Sequence, residues 1–278
     1  MTFNNRTSRT VRSLAYIVLT ATVVIIVIPV LQVFLSSFKT NEEINRVISL
    51  PSGFNLDNYR TVFKSSAAMY GLMNSVSITF AAMLLAVVLS SVAGYAIGRR
   101  RERLFAFLYL LFLSAMMIPV GANLVSLYSL LRGLHLTNSR LGLILVNAAQ
   151  ALPMGILLYT GFVKTIPREI DEASVIDGAG YAKRLSLVVM PLLKPVSVTF
   201  IVITSVNVWN EFLLSLLFIT SESKRTIPLA VYTFSSSHAS DFGAIYAMLA
   251  IAILPPALFF LLTQKYFYQG MTAGAVKG

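Results

Sequence analysis

The chain has 278 residues, of which 56% are hydrophobic and only 12% charged, with a mean hydropathy of +0.77 and a net charge of +11. An ordinary soluble domain carries about 25% charged residues, so this much apolar surface belongs against lipid and excludes a soluble core. The absence of cysteine excludes disulfides, thiolate metal ligands and a cysteine nucleophile, and the basic residues stand in short runs beside apolar stretches, which membrane topology explains without nucleic acid.

In chain order, residues 1–12 form a basic N-terminal segment with Arg6, Arg9 and Arg12. The apolar stretches that follow are Ser13 to Phe38, Ser65 to Gly98, Leu104 to Leu131, Leu141 to Val163, Pro195 to Ser221 with one acid, and Phe242 to Gln264. Each supplies the ~20 apolar residues that a helix needs to cross a bilayer. The first is too long for a signal peptide and lacks a convincing small-residue cleavage site. Helix is forced, because backbone groups in hydrocarbon must be satisfied within the segment and the alternating pattern of a barrel is missing. The expectation is an all-α polytopic membrane protein with six transmembrane helices over residues 13–267, a polar loop at 165–194 and a tail at 268–278.

Orientation follows from Lys and Arg. With the N-terminus inside, the inner segments hold 14 of the 22 basic residues, including Arg99, Arg100, Arg101, Arg103, Lys164, Arg168, Lys183 and Arg184. That bias places both termini and the 165–194 loop in the cytoplasm.

Polar residues inside the apolar stretches are expensive and therefore informative. Asn147 and Gln150 share a face of the fourth stretch, with Pro153 freeing a carbonyl nearby. On the fifth, Asn207, Asn210 and Glu211 lie at i, i+3 and i+4 beside Trp209. At 1.5 Å per residue from Pro195, Glu211 lies about 24 Å along, in the outer half of the span. These residues either line a polar translocation path or brace the bundle through interhelical hydrogen bonds; for Glu211 bracing is the preferred reading.

The loop from Arg168 to Pro191 is polar and charged in a chain that is otherwise nearly all membrane. Glu169, Glu172 and Ile176 recur at helical spacing, so two acids and one apolar residue share a face. Ala173 and Ser174 are small enough for close approach, and Asp177 and Gly178 form a turn pair in which a side chain would collide or strain the backbone. An amphipathic interfacial helix followed by a turn would carry the same letters one at a time.

Taken jointly, Glu172-Ala173-Ser174, then Gly178, then Val188, Met190 and Pro191 fit the spacing E-A-A, three residues, Gly, nine residues, I-x-L-P. This resembles the cytoplasmic coupling loop of the membrane subunits of ATP-binding-cassette importers. Ser174 replaces the usual second alanine, and Leu185 stands where relatives often have an aromatic residue. The resemblance implies a type I importer fold in which the loop forms two short helices, the first fitting a cleft in the ATPase subunit. The coupling residues it implies are Glu169, Glu172, Ala173, Ser174, Asp177, Gly178, Ala179 and Pro191.

Further segments narrow the resemblance: Phe54 to Phe63 (FNLDNYRTVF), Ala93 to Arg99 (AGYAIGR), Trp209 to Leu216 (WNEFLLSL) and the ending Gly270 to Gly278 (GMTAGAVKG) are similar to the second, six-span permeases of maltose, glycerol-3-phosphate and multiple-sugar importers. That class implies a tail reaching the ATPase interface, through Thr272, Gly274 and Lys277. It also implies as partners a second homologous permease, two ATPase subunits, an extracytoplasmic solute-binding protein, the lipid bilayer and a sugar. ATP and magnesium would be bound by the ATPase subunits, leaving this chain without a cofactor. The location implied is a bacterial or archaeal inner or plasma membrane.

Catalysis has little to rest on. His135 and His238 fall in outer loops, and HExxH, GxSxG and the G-x-x-x-x-G-K-[ST] phosphate loop are absent, so no catalytic and no metal site is expected. The competing readings are a permease of the same superfamily for a non-sugar solute, a secondary transporter, which should show embedded charge pairs or broken helices at the midplane, and a membrane assembly protein.

Overall fold

The computed structural model describes residues 9–45 and 49–275. Among these residues the helices are α1 (Arg9–Ser36), α2 (Asn41–Ile44), α3 (Asp57–Lys64), α4 (Ser66–Arg99), α5 (Arg103–Ala115), α6 (Leu124–Gly133), α7 (Arg140–Thr165), α8 (Arg168–Ile176), α9 (Tyr181–Lys183), α10 (Met190–Leu192), α11 (Lys194–Trp209), α12 (Leu213–Phe218), α13 (Ile227–Ser237) and α14 (Phe242–Ala275). A π-helical segment, Arg184–Val189, joins α9 to α10. No strand occurs among the described residues.

Among the described residues four helices are long and apolar enough to cross a membrane: Val11–Ser36, Ser66–Arg99, Arg140–Thr165 and Phe242–Lys265. These make the chain a multi-pass membrane protein. The other two apolar stretches differ from the sequence expectation, because neither is a single helix. Leu104 to Leu131 divides into α5 and α6 around Pro119. Proline lacks the N–H that would continue the ladder and disfavours helical backbone in the residue before it. Pro195 to Ser221 divides after Trp209, where the Asn210 and Glu211 amides bond back to Val206 and Val208 and α12 starts afresh at Leu213. Tyr181–Leu192 and Lys194–Trp209 are in turn bent by 81° where they meet. Pro191 and Pro195 flank that elbow.

The described chain separates into two compact units, one of the chain up to Ser66 with Val231–Ile253, the other of Ala67–Ala230 with the chain from Leu254 onward. In the first unit the side chain of Asn58 on α3 donates to the carbonyls of Ser37 and Lys39, both at 2.8 Å, and Tyr59 shares a 2.7 Å hydrogen bond with the Ser37 hydroxyl. These bonds tie α3 to the turn that ends α1. A capping box starts α2, with Thr40 and Glu43 each accepting the other's backbone amide. The Ser52 hydroxyl, with the Thr40 and Ser52 amides behind it, holds Glu43 below the usual carboxylate range. Lys39 is fully buried, and its Nζ has no hydrogen-bond partner among the described residues.

In the second unit α7 packs against α5, α11 and α12. Its contact with α4 depends on small residues: a Cβ on Gly94 would stand 2.5 Å from the Tyr159 Cβ, and one on Gly98 would stand 2.7 Å from the Val163 Cγ1. This is the small-xxx-small spacing by which membrane helices pack backbone to backbone. Ile78, Ala82, Ala86 and Tyr95 of α4, Leu143, Tyr159 and Val163 of α7, and Phe200 of α11 share one core. A polar tie crosses it, the Tyr159 hydroxyl donating to Ser197 Oγ at 3.0 Å.

Candidate functional site

The polar loop folds into α8, whose ends follow from its sequence. Glu169 and Asp171 lie in the first turn, where carboxylates complement the exposed amides and the helix dipole. At the other end Gly178 takes φ +78°, the Ala179 amide donates to the Ser174 carbonyl at 2.9 Å, and the Gly178 amide donates to Val175 at 3.0 Å. Those two bonds form a Schellman ending, which places a left-handed residue directly after the C-cap and so favours glycine. Apart from Gly178 and its two chain neighbours, no atom of the described residues lies within 4 Å of where a Cβ on Gly178 would sit. The demand for glycine there is therefore conformational; the expected collision has no counterpart among the described residues.

The two faces of α8 differ sharply. Glu169, Glu172, Ala173, Val175 and Ile176 are exposed, Ile176 at 86%. Ser174 lies on the opposite face, buried, its hydroxyl donating to the Asp171 carbonyl at 2.7 Å. Of the triplet singled out in the sequence, Glu172 and Ala173 point outward and Ser174 inward. Asp177 is exposed, Ala179 is half-buried, and Pro191 is exposed at the start of α10.

Sequence reasoning passed over Asp171. Its carboxylate accepts from the Tyr95 hydroxyl at 2.6 Å, lies 2.6 Å from Arg99 Nη2, and lies 3.8 Å from Arg184 Nε. The Arg99 contact is close, but its N–H is not aligned for a hydrogen bond, so the attraction is chiefly coulombic. Arg99 Nη1 also donates to the Ile166 carbonyl at 2.8 Å, and Arg168 donates to the Arg99 carbonyl at 3.2 Å. One signal could have found Asp171: the wheel that gathers Glu169, Glu172 and Ile176 onto one stripe puts Asp171 and Ser174 off it, on the side facing the protein.

Within the apolar elements, Asn147 is buried and donates to the Leu143 carbonyl of its own helix at 2.8 Å, whereas Gln150 is exposed. The shared face inferred from spacing thus divides between a buried and an exposed position. Asn207 and Asn210 are exposed. Glu211 does not sit inside a continuous span. It lies in the break after α11, and its two carboxylate oxygens accept the amides of Leu214 at 2.6 Å and Ser215 at 3.1 Å. These are first-turn amides of α12, which lack intrahelical acceptors. An apolar cavity of about 350 Å³ opens between α4, α11 and α14, with Trp209, Phe80 and Phe259 among its walls, and none of these five polar residues lines it. Thr272 and Gly274 fall in the last turns of α14, and Lys277 lies outside the described residues.

Residues 86–273 match the family described as binding-protein-dependent transport system inner membrane component. The chain is 31% identical to the melibiose/raffinose/stachyose import permease protein MelC of Bacillus subtilis over 90% of its own length and 91% of the relative's. It is 31% identical to the multiple sugar-binding transport system permease protein MsmG of Streptococcus mutans, over 94% and 96%, and to the trehalose transport system permease protein SugB of Mycobacterium tuberculosis, over 90% and 92%. Among solved structures, the crystal structure of a bacterial ABC transporter involved in the import of the acidic polysaccharide alginate has a chain that superposes with a TM-score of 0.82 at 21% identity, covering 96% of this chain and all of that one.

Proposed function

We propose a role for this chain that begins from its family: the chain belongs to the binding-protein-dependent transport system inner membrane components, and it is a permease subunit of an ATP-driven importer for a sugar or oligosaccharide. Sugar permeases at similar identity over nearly full length support the substrate class. Their names cover different saccharides, which supports a binding protein outside the membrane as the component that selects the ligand.

The proposed topology has six spans: α1, α4, α5 with α6, α7, α11 with α12, and α14. Both termini and α8 lie in the cytoplasm, in keeping with the bias of Lys and Arg toward those segments. The chain forms half of the translocation path with a second homologous permease, in a bacterial or archaeal cell membrane. Gln150, Asn207 and Asn210, exposed on elements within the bilayer, suit a wet path or a polar partner better than lipid. The chain is not itself an enzyme. Two ATPase subunits bind ATP and magnesium, and the tail through Thr272, Gly274 and Lys277 reaches toward them.

A single observation carries the coupling role: α8 holds Val175 and Ile176 exposed beside the carboxylates of Glu169 and Glu172, on a helix locked from behind and stopped by a Schellman turn. Two large apolar side chains left open next to acids form a docking face for a partner that offers an apolar cleft and arginine or lysine. Ala173 allows close approach at its centre, while Asp177, Gly178 and Ala179 fix its end and Ser174 packs its back. Copurification tests the proposal. The assembled importer should yield an ATPase subunit in stoichiometric amount, and Glu172→Lys should detach it and abolish uptake while this subunit remains in the membrane. Retention of the ATPase and of uptake in that variant overturns the role of α8.

A further inference from the structure

We propose that Asp171, clasped by Tyr95, Arg99 and Arg184, is the positioning residue that fixes α8 onto the end of α4, so that a load on the exposed face of α8 reaches α4 as well as α7. The proposal rests on the reading of α8 as the ATPase-docking helix.

The covalent connections of α8 do not by themselves set its orientation. Only Ile166 and Pro167 separate it from α7, and residues 177–180 separate it from α9. Two such links allow the helix to rock about its own axis. The side-chain contacts that oppose rocking centre on one carboxylate. Asp171 meets the Tyr95 hydroxyl and the Arg99 guanidinium from α4, and the Arg184 guanidinium from the π-helical segment after α9. Aromatic contacts close the cluster: the Tyr95 and Tyr181 rings lie 5.3 Å apart, and the Arg184 guanidinium carbon stands 5.8 Å from the Tyr181 ring centre. Arg99 adds a second hold through the Ile166 carbonyl, and Arg168 returns a bond to the Arg99 carbonyl.

The charge count makes the acid the critical member. The Arg99 and Asp171 side chains are each 13% exposed and that of Arg184 is 21% exposed, so solvent screens the cluster weakly. Two cations face one anion. Neutralising Asp171 leaves both guanidinium groups without their shared counter-ion, and the clasp becomes a repulsion between α4 and the segment after α9. A clasp of this kind makes a contiguous physical connection between the docking face and α4.

A purely structural role and a positioning role predict different things. If Asp171 only stabilises the fold, its loss lowers assembly, ATP hydrolysis and uptake together. If it positions α8, the complex assembles and hydrolyses ATP, and the fraction of hydrolysis converted to uptake falls.

The test uses the complete importer in proteoliposomes with its binding protein and sugar, measuring uptake per ATP hydrolysed in wild type, Asp171→Asn and Tyr95→Phe. The expected result is an intact complex in which Asp171→Asn retains stimulated hydrolysis and uptake per ATP falls about five- to tenfold, the lower end of an ordinary coupling free energy. Tyr95→Phe, which removes one hydroxyl and keeps the ring, should shift the ratio in the same direction by a smaller factor. An unchanged ratio in an intact Asp171→Asn complex overturns the proposal, as does a parallel loss of hydrolysis and uptake. If Asp171→Asn does not assemble, Tyr95→Phe decides, and a wild-type ratio there overturns it. Failure of the docking-helix reading looks different: Glu172→Lys would then keep both the ATPase subunit and uptake.

Discussion

Two acids in the second unit, Asp171 and Glu211, are held in opposite ways. Asp171 has cations and a hydroxyl from other elements around it and bridges parts of the chain far apart in sequence. Glu211 has two backbone amides three and four residues ahead and caps the helix that follows it. The first contact is tertiary and fixes one element against another; the second is local and allows an apolar stretch to break without stranding its amides. Acids in a membrane protein therefore serve two distinct ends, and the partner's chemistry tells them apart: a side-chain cation for position, a backbone amide for local shape.

The largest effect should come from reversing the charge at the tertiary acid. Asp171→Lys sets three cations together in a poorly solvated cluster, and breaking such a pair costs about 3–5 kcal/mol. The subunit should lose the ATPase on purification, and uptake should fall below detection; near-normal uptake would show that the arginines are not held by this carboxylate. Next comes Glu211→Leu, which leaves two first-turn amides of α12 unpaired at about 1–3 kcal/mol each. Thermal unfolding of the purified complex should shift several degrees lower, with uptake reduced for every sugar tested. Glu211→Gln keeps one acceptor oxygen and should be far milder than Asp171→Asn. Equal severity of the two amide substitutions would erase the distinction drawn between the acids.

How much of this was legible beforehand depended on contrast. Glu211 stood out because an acid in an apolar run is rare, but its partners could not be read, since they depend on where the helix stops. Asp171 had no contrast, being one acid among several in a polar loop, and its partners Arg99 and Arg184 lie 72 positions before it and 13 after it in the sequence. The long apolar helices, α1, α4, α7 and α14, were legible because length and hydropathy decide them. The interruptions at Pro119 and after Trp209 were not, because composition over 20 residues is blind to a single missing N–H or to a carboxylate that substitutes for a carbonyl. The Schellman ending at Gly178 was half legible: the need for glycine followed from the Asp-Gly pair, but its cause is backbone sign alone.

Smaller effects sharpen the same contrast. Gly178→Val forces a β-branched residue into left-handed backbone at about 1–2 kcal/mol. The clasp at Asp171 should keep the start of α8 in place while its end frays, so ATPase copurification should weaken without vanishing; unchanged copurification would mean that the docking face does not extend to Ile176. The smallest effect is expected at Lys39 in the first unit, a buried amine with no hydrogen-bond partner among the described residues. Lys39→Met removes a buried polar group and keeps the volume, so the thermal midpoint should stay level or rise. A fall of several degrees would reveal an anionic partner supplied on assembly.

Because the chain has no cysteine, a single introduced thiol reports its own surroundings, and Ile176→Cys on the exposed face of α8 tests the coupling claim most directly. With a short thiol-reactive crosslinker in membranes carrying the assembled importer, the account predicts one adduct with the ATPase subunit at Ile176→Cys, and none from an exposed control on another connection, Leu134→Cys. An intact complex with no adduct at residue 176, or labelling of that thiol by a membrane-impermeant reagent applied from outside the cell, would contradict it.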